Sequence, residues 1–499
     1  MHRKIIHGPP GTGKTFTLIK YLDKELKENK IDPQKIVYIS FSNAAAREAR
    51  RRITDDLYHI GTMHSLGSNE LEIDTNTQLL KGNKWNSFKN FSQICRDMSF
   101  ESYVNEAGYV EYMNPNMKVI QYARSRKLDL QQAAIDLDII HLVDLGFVEQ
   151  LNEDLKNFKN GTGMIEYSDM ISQFVDKKKC PPIDIVFLDE AQDLSPLQWD
   201  MFFYLESVSI RSYVAGDDDQ TIYTFQGADP SIFINLKGTE DPQIKSRRVP
   251  KRIHKLAESI FPYMSQRLDK KWEPREAEGE VHTDADFYEL DFTKGTWFVL
   301  TRTNKMLQPL KDHLYNLNIR FDAKQHDLLS EDMLTAYRSW VRLNKGASID
   351  TKEAENLYKF FTVKGGQVAR GFASGKTLQG LNSVTLEELR AEHGLLVTGD
   401  WELLNFPDAS KEYIRTILKK EDLMKDARIK LSTIHGVKGE EAENVVLFTD
   451  LERIIYDSAL KDSDPEHRTF FVGITRAKEK IFITNQGHEY QYNIGVPII

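Results

Sequence analysis

The sequence predicts an α/β fold of two domains with parallel sheets, each carrying a mainly helical insertion, and three observations lead there. A glycine-rich loop, Gly8-Pro9-Pro10-Gly11-Thr12-Gly13-Lys14-Thr15, lies between an apolar run and a helical pattern. Two later apolar runs, Ile183 to Leu188 and Tyr213 to Ala215, each end in an acidic loop, Asp189-Glu190-Ala191-Gln192-Asp193 and Gly216-Asp217-Asp218-Asp219-Gln220. Runs that are predominantly apolar, rather than alternating, mark strands buried on both faces, as in parallel sheets. Strand-like runs also lapse twice along the chain in favour of helical spacing, and then return.

Taken in order, residues 1–67 read as strand, loop, helix, strand: Lys4-Ile5-Ile6, the glycine-rich loop, Phe16 to Leu26, and Ile36-Val37-Tyr38-Ile39-Ser40. This is a βαβ opening. Over 68–166 strand runs vanish and apolar residues recur at helical spacing, in Phe88, Phe91, Cys95, Met98 and again in Leu137, Ile140, Val143, Phe147, Leu151, Leu155, Phe158. Residues 167–249 resume the alternation and complete the first domain. The basic segment Arg247-Arg248-Val249-Pro250-Lys251-Arg252 opens a second domain, 250–327 and 426–499, with strands expected at Trp297–Leu300, Asn444–Phe448 and Lys480–Thr484. Within it, 328–425 reads as a reduced insertion. Leu334, Tyr337, Trp340 and Val341 share a helix face there, and Thr385 with Glu388 spells a capping box.

A chain of 499 residues exceeds what one hydrophobic core organises, so several domains are expected. The formal net charge of −9 argues against a surface coated for nucleic acid, yet a local basic groove suffices to hold a strand. Cys95 and Cys180 have no metal-ligand spacing and are too few for a disulfide framework; they read as packing residues in a reducing cytoplasm. Met1-His2-Arg3-Lys4 leads straight into the first strand and loop, and no apolar run approaches the ~20 residues of a membrane span. The expected protein is soluble, cytoplasmic and free of membrane.

The glycine-rich loop fits G-x-x-x-x-G-K-[ST] in the strand-to-helix context that motif requires. Its glycines let backbone amides turn inward around phosphates, Lys14 reaches the β and γ phosphates of ATP, and Thr15 holds Mg²⁺. Asp189, after its strand, supplies the carboxylate for the same ion, and Glu190 beside it can orient or deprotonate an attacking water. The Gln220 amide can touch both γ-phosphate and water. These residues alone describe any P-loop ATPase.

The remaining segments narrow the choice. Phe41-Ser42-Asn43-Ala44-Ala45-Ala46-Arg47-Glu48, Gly61-Thr62-Met63-His64-Ser65, Gly216 to Asp229, Leu300-Thr301-Arg302-Thr303-Asn304, Thr433-Ile434-His435-Gly436-Val437-Lys438-Gly439-Glu440-Glu441 and Val472-Gly473-Ile474-Thr475-Arg476-Ala477-Lys478 follow one another in the order and wording of a known set. The chain thereby resembles the UvrD/Rep/PcrA-type DNA helicases of superfamily 1, over both α/β domains. The resemblance implies two RecA-like P-loop domains that bind ATP and Mg²⁺ between them. It implies that Arg248 and Arg476 reach the γ-phosphate, that Arg247 lies by the base, and that Gly439 and Glu441 lie by the nucleotide, Glu441 at the ribose. It also implies DNA contacts from Phe41, Ser42, Asn43, Thr62, His64, Tyr223, Phe225, Arg302, Asn304, Thr433 and His435. Phe225 is the favoured stacking platform for bases, whereas Tyr223 fits base stacking and packing beneath the cleft equally well. Arg47, Arg50, Arg51 and Arg52 fit phosphate contacts or a solvated helix face.

Three departures from the family pattern stand out. No glutamine upstream of Gly8 can read an adenine edge. Arg247 stands where the family has a tyrosine. Ala44 and Gln226 replace basic residues and remove charge from the strand path. The expected activity is ATP-dependent 3′-to-5′ translocation on single-stranded DNA with duplex separation, by a monomer that engages single-stranded DNA, duplex junctions and replication or repair proteins. The alternatives are a translocase that displaces proteins or recruits partners without unwinding, and an RNA-directed motor.

Overall fold

The computed structural model describes residues 2–104, 110–324, 326–378 and 380–498. Met1 and residues 105–109, which fall within the first domain and the first insertion expected above, lie outside the described residues. The chain forms two compact units, Met1–Ala285 with Ile434–Ile499, and Asp286–Thr433.

In the first unit a six-stranded sheet has the order His59–Gly61, Ile36–Ser40, Ile185–Asp189, Arg211–Gly216, His2–His7, Thr239–Glu240. Every pairing is parallel, as the unbroken apolar runs require. Register aligns His7 with Gly216 and Ser40 with Asp189. The chain therefore leaves all four central strands at one edge, the carboxyl edge where open α/β sheets bind ligands. The Lys14–Lys27 helix packs Leu18 and Leu22 onto Ile6, Tyr38, Phe187 and Tyr213, which fixes its N-terminus at that edge. The same unit holds a second parallel group, Glu280–His282, Ala477–Thr484 and Ala442–Phe448. The expected strands at 444–448 and 480–484 lie inside these elements.

The 68–166 stretch is mainly helical, with helices Lys84–Phe91, Pro115–Arg126, Leu130–Asp136 and Leu145–Thr162 around Trp85, Phe88, Ile120, Leu151, Leu155 and Phe158. Two sequence readings need correction here. Strands do occur, as an antiparallel pair Ser102–Val104 and Val110–Tyr112, each too short to leave a periodic signature. The apolar spacing from Leu137 to Phe158 is not one helix, because Asp138 adopts a left-handed φ of 56° and Asp144 accepts a hydrogen bond from the Phe147 amide at 3.1 Å, starting a new helix. Likewise the Phe88 to Met98 spacing covers an α-helix ending at Phe91 and a separate 3₁₀ turn, Gln93–Cys95. Cys95 is buried and Cys180 half-buried, both as free thiols.

The second unit carries parallel strands Trp297–Thr301, Ile429–Thr433 and Asp322–Ala323. Its helices Glu331–Asn344, Thr351–Tyr358, Leu386–Ala391 and Asp408–Leu418 enclose Trp340, Leu357, Tyr358, Leu389 and Ile414. The capping box at Thr385 and Glu388 is present.

Candidate functional site

The first unit brings together most of the residues singled out in the sequence. Between strand and helix the glycine-rich loop turns on Gly11, φ 77°, and Gly13, φ 91°. Gly11 is doubly constrained, since a Cβ there would stand 2.6 Å from both Arg248 Cβ and Ser246 Oγ. Ser246 Oγ donates to Pro10 O at 2.8 Å and the Arg247 amide to Gly11 O at 2.8 Å, so the Lys245–Pro250 strand is laced to the loop. Lys14 Nζ donates to Gly8 O at 2.6 Å, folding the ammonium over the loop, and Thr12 Oγ1 donates to Pro9 O.

Thr15 Oγ1 donates to Asp189 Oδ2 at 2.7 Å, and Tyr38 OH to the same oxygen at 3.1 Å. Burial first, and Glu190 second, push the Asp189 carboxyl up to about 6. Glu190 itself sits in a left-handed conformation, φ 57°, strain that a non-glycine residue holds only where its surroundings enforce it. Burial opposes its charge, but Lys14 and Lys438 outweigh burial and hold its carboxyl below the ordinary range. Gln192 Nε2 donates to Glu190 Oε2 at 2.7 Å, while its carbonyl accepts from the Asp217 amide at 2.9 Å, so one side chain spans both acidic loops.

The second loop ends in a relay. Gln220 Nε2 donates to Asp217 Oδ2 at 2.6 Å, and Arg476 Nη2 donates to Gln220 Oε1 at 2.9 Å. Arg476 is 1% exposed, and its other donors reach Val472 O at 3.0 Å and Glu440 O at 3.3 Å. Burial, then the neighbouring Arg248, push its guanidinium down to about 9. Arg248 Nε donates to Glu441 Oε2 at 2.5 Å, and Lys478 pairs with the other Glu441 oxygen at 3.2 Å. Gly439, φ 88°, precedes this pair in the same loop. The guanidinium of Arg247 lies 5.2 Å over the ring of Phe16, which is 52% exposed. Lys14 and Arg476 act on both Glu190 and Asp217, and Arg248, paired with Glu441, stands beside Arg476, a set of cations suited to a polyanion.

Strand-side residues of this unit form an aromatic group. Phe41 packs tilted against Tyr223 at 5.1 Å between centroids, and Phe225 lies 6.2 Å from Tyr223 and perpendicular to His435 at 5.5 Å. Tyr223 is buried, its OH donating to His435 O at 3.3 Å, whereas Phe225 is 44% exposed. Burial therefore favours packing for Tyr223, while Phe225 keeps an exposed ring. Ser42 caps the Asn43–Arg52 helix by accepting from the Ala45 amide, with exposed Asn43 as its first residue. Thr62 caps the Met63–Glu70 helix in a capping box, and His64 stands edge-on to Tyr167 at 5.6 Å. In the basic run, Arg50 donates to Ile60 O and Arg52 pairs with Glu48, so both serve local structure. In the second unit, half-buried Arg302 and exposed Asn304 follow the Trp297–Thr301 strand, whose Thr301 is in register with buried Thr433. Those three share one strand edge of that unit.

Several contributors were not singled out in the sequence. Lys438 pairs with Asp193 and donates to Gln220 O at 2.5 Å. Lys270 contacts all three of Asp217, Asp218 and Asp219, and Arg267 grips Asp219 at 3.0 and 3.1 Å. Three consecutive acids at a buried strand end require counter-charges, which was a signal; their identity was hidden by fifty residues of separation.

Two family models match the chain: the UvrD/REP helicase N-terminal domain over residues 2–241 and the UvrD-like helicase C-terminal domain over residues 407–487. The chain belongs to the UvrD/Rep/PcrA family of ATP-dependent DNA helicases. This helicase is 22% identical to a probable DNA helicase II homolog of Mycoplasma capricolum, across 98% of its own length and 83% of the relative. It is 22% identical to the ATP-dependent DNA helicase PcrA of Leuconostoc citreum, across 96% and 79%. With the ATP-dependent DNA helicase Rep of Buchnera aphidicola the match is 25% identical but covers 52% of this helicase and 43% of Rep. Among the described residues no helix is long and apolar enough to cross a membrane, and no cluster of three or more His, Cys, Asp or Glu could hold a metal.

Proposed function

We infer that this helicase is an ATP-driven motor that moves 3′-to-5′ along single-stranded DNA and separates duplex DNA. The observation that supports this best is the relay Arg476–Gln220–Asp217 beside the glycine-rich loop, because it joins a guanidinium from the C-terminal motif to an amide from the second acidic loop.

ATP fits the residues present. The amides of Gly8–Thr15 would cradle phosphates, and Lys14 would exchange Gly8 O for phosphate oxygens. Mg²⁺ fits the Thr15–Asp189 pair, since one hydroxyl and one carboxylate suit an ion that keeps several waters and takes further ligands from phosphates. When bound, that ion supplies charge neutralisation at the phosphates. Glu190, ionised and tethered by Gln192, orients and deprotonates the attacking water. Gln220 aligns that water with the γ-phosphate, and Arg476 with Arg248 neutralises charge developing on the transferring group. Arg248 would release Glu441, which then meets the ribose; Gly439 lets the loop approach, and Arg247 with Phe16 flanks the base.

DNA binding would use the exposed Phe225 ring to stack bases, with Phe41, Ser42, Asn43, Thr62, His64 and His435 as further contacts from the first unit and Arg302, Asn304 and Thr433 from the second. Stacking contributes ~1–3 kcal/mol per base, comparable with the ~1.4 kcal/mol of a duplex step, so a motor that alternately captures and releases bases can compete with pairing. The direction and the unwinding rest on the resemblance to UvrD/Rep-type enzymes. The test is unwinding of duplexes bearing a 3′ or a 5′ single-stranded tail, with ATP and then GTP. Activity confined to 3′ tails is expected; activity on 5′ tails, or strand-stimulated hydrolysis without unwinding of either, overturns the reading in favour of the opposite polarity or a non-unwinding translocase.

A further inference from the structure

Lys270 lies on the segment between the Phe261–Tyr263 turn and the Glu273–Arg275 strand, outside every motif. Its ammonium is buried against three consecutive carboxylates, 2.6 Å from Asp217 and 3.0 Å from Asp219 and in contact with Asp218. Asp218 also accepts from the Leu268 amide at 2.7 Å, and Asp219 from Arg267. Among the described residues, Asp217 pairs with Lys270 alone. Its remaining oxygen accepts from Gln220 Nε2.

That contact decides which way the Gln220 amide faces. A carboxylate only accepts and a guanidinium only donates, so the NH₂ must face Asp217 and the carbonyl Arg476. A flipped amide would meet like polarity on both sides. The orientation holds while Asp217 stays charged and fixed. Burial opposes its charge, and Lys270 first, then Lys14, overcome burial.

We propose that Lys270 is a positioning residue for hydrolysis: by fixing Asp217 it orients the Gln220 amide, and thereby presents the Gln220 carbonyl to Arg476 at the γ-phosphate side of the site. It touches no substrate. The role rests on the reading of Gln220 given under Proposed function, and the test separates the two.

The experiment is a double-mutant cycle on single-stranded-DNA-stimulated ATP hydrolysis, with Lys270→Met, Gln220→Ala and their combination, each checked by melting temperature. Lys270→Met is expected to lower kcat roughly tenfold with KM for ATP within about twofold, and Lys270→Arg to restore most of kcat. The double variant is expected to be no slower than Gln220→Ala alone, because the lysine acts through the amide. Should Lys270→Met fail to fold, Asp217→Ala takes its place in the same cycle with the same expectation. Full activity in Gln220→Ala overturns the functional reading of that residue. Loss in Gln220→Ala with an unchanged kcat in the Lys270 or Asp217 variant, or losses that multiply in the double variant, overturns the positioning role alone.

Discussion

Arg476→Ala separates function from folding. The side chain donates to Gln220 Oε1, Val472 O, Glu440 O and Thr475 Oγ1. Leaving two or three buried acceptors without a donor costs about 1–3 kcal/mol each. Against this, burial first and the neighbouring Arg248 second push the guanidinium down to about 9, so the charged side chain sits at an energetic disadvantage that its removal relieves. The two effects oppose each other, so the nucleotide-free variant should melt within a few degrees of the wild type. Hydrolysis should behave differently, because arginines placed at a transferring phosphoryl group contribute about 10³–10⁵ in kcat. The assay is single-turnover ATP hydrolysis with saturating single-stranded DNA, alongside thermal melting. A folded variant that keeps kcat within about tenfold of wild type would refute the reasoning, as would a collapse in stability large enough to explain the loss.

Other outcomes follow from the same geometry. Phe225→Ala should weaken single-stranded DNA binding by ~1–3 kcal/mol without altering melting, measured by fluorescence anisotropy; unchanged affinity would remove the exposed ring from the strand path. Lys438→Met strands the buried Asp193 carboxylate and should destabilise the first unit by about 3–5 kcal/mol in denaturant titration, an outcome contradicted by a shift below 1 kcal/mol. Glu166 is held down to about 2, where burial works against its charge but Arg124 and Lys159 prevail. With its folded value depressed below the unfolded one, it contributes stability that is complete above about pH 5 and lost as pH falls through 4 towards 2. Glu166→Gln should flatten that acid limb of the stability curve, and an unchanged limb would exclude a contribution from the Glu166 ion pairs with Arg124 and Lys159.

Much of this architecture was legible because local signals agreed with the global fold. The runs Ile36–Ile39 and Ile185–Leu188 are apolar at every position because both faces of the sheet are covered, and the glycine-rich loop declares its own strand and helix. Chemistry at strand ends was equally readable, since Asp189 ends its strand and Gln220 follows its strand by four residues. What escaped were features set by tertiary contact. Lys270 looks like any surface lysine until the chain folds it onto Asp217. The break at Asp138 and Asp144 interrupts a helical period that is intact in the sequence, because apolar residues of two helices and a turn line the same core. Tyr223 and Phe225 were distinguishable only by burial, which depends on Phe41 and His435 arriving from elsewhere in the chain.

In the proposed mechanism one triphosphate is gripped by Lys14 at its loop and by Arg476 at its far end. Binding of ADP and of ADP with aluminium fluoride, a mimic of the transferring phosphoryl group, tests this most directly in the presence of single-stranded DNA and Mg²⁺. Lys14→Ala should lose affinity for both, whereas Arg476→Ala should keep its affinity for ADP within about twofold and lose the tight analogue complex. An Arg476→Ala protein that binds the analogue as tightly as wild type would contradict the shared grip.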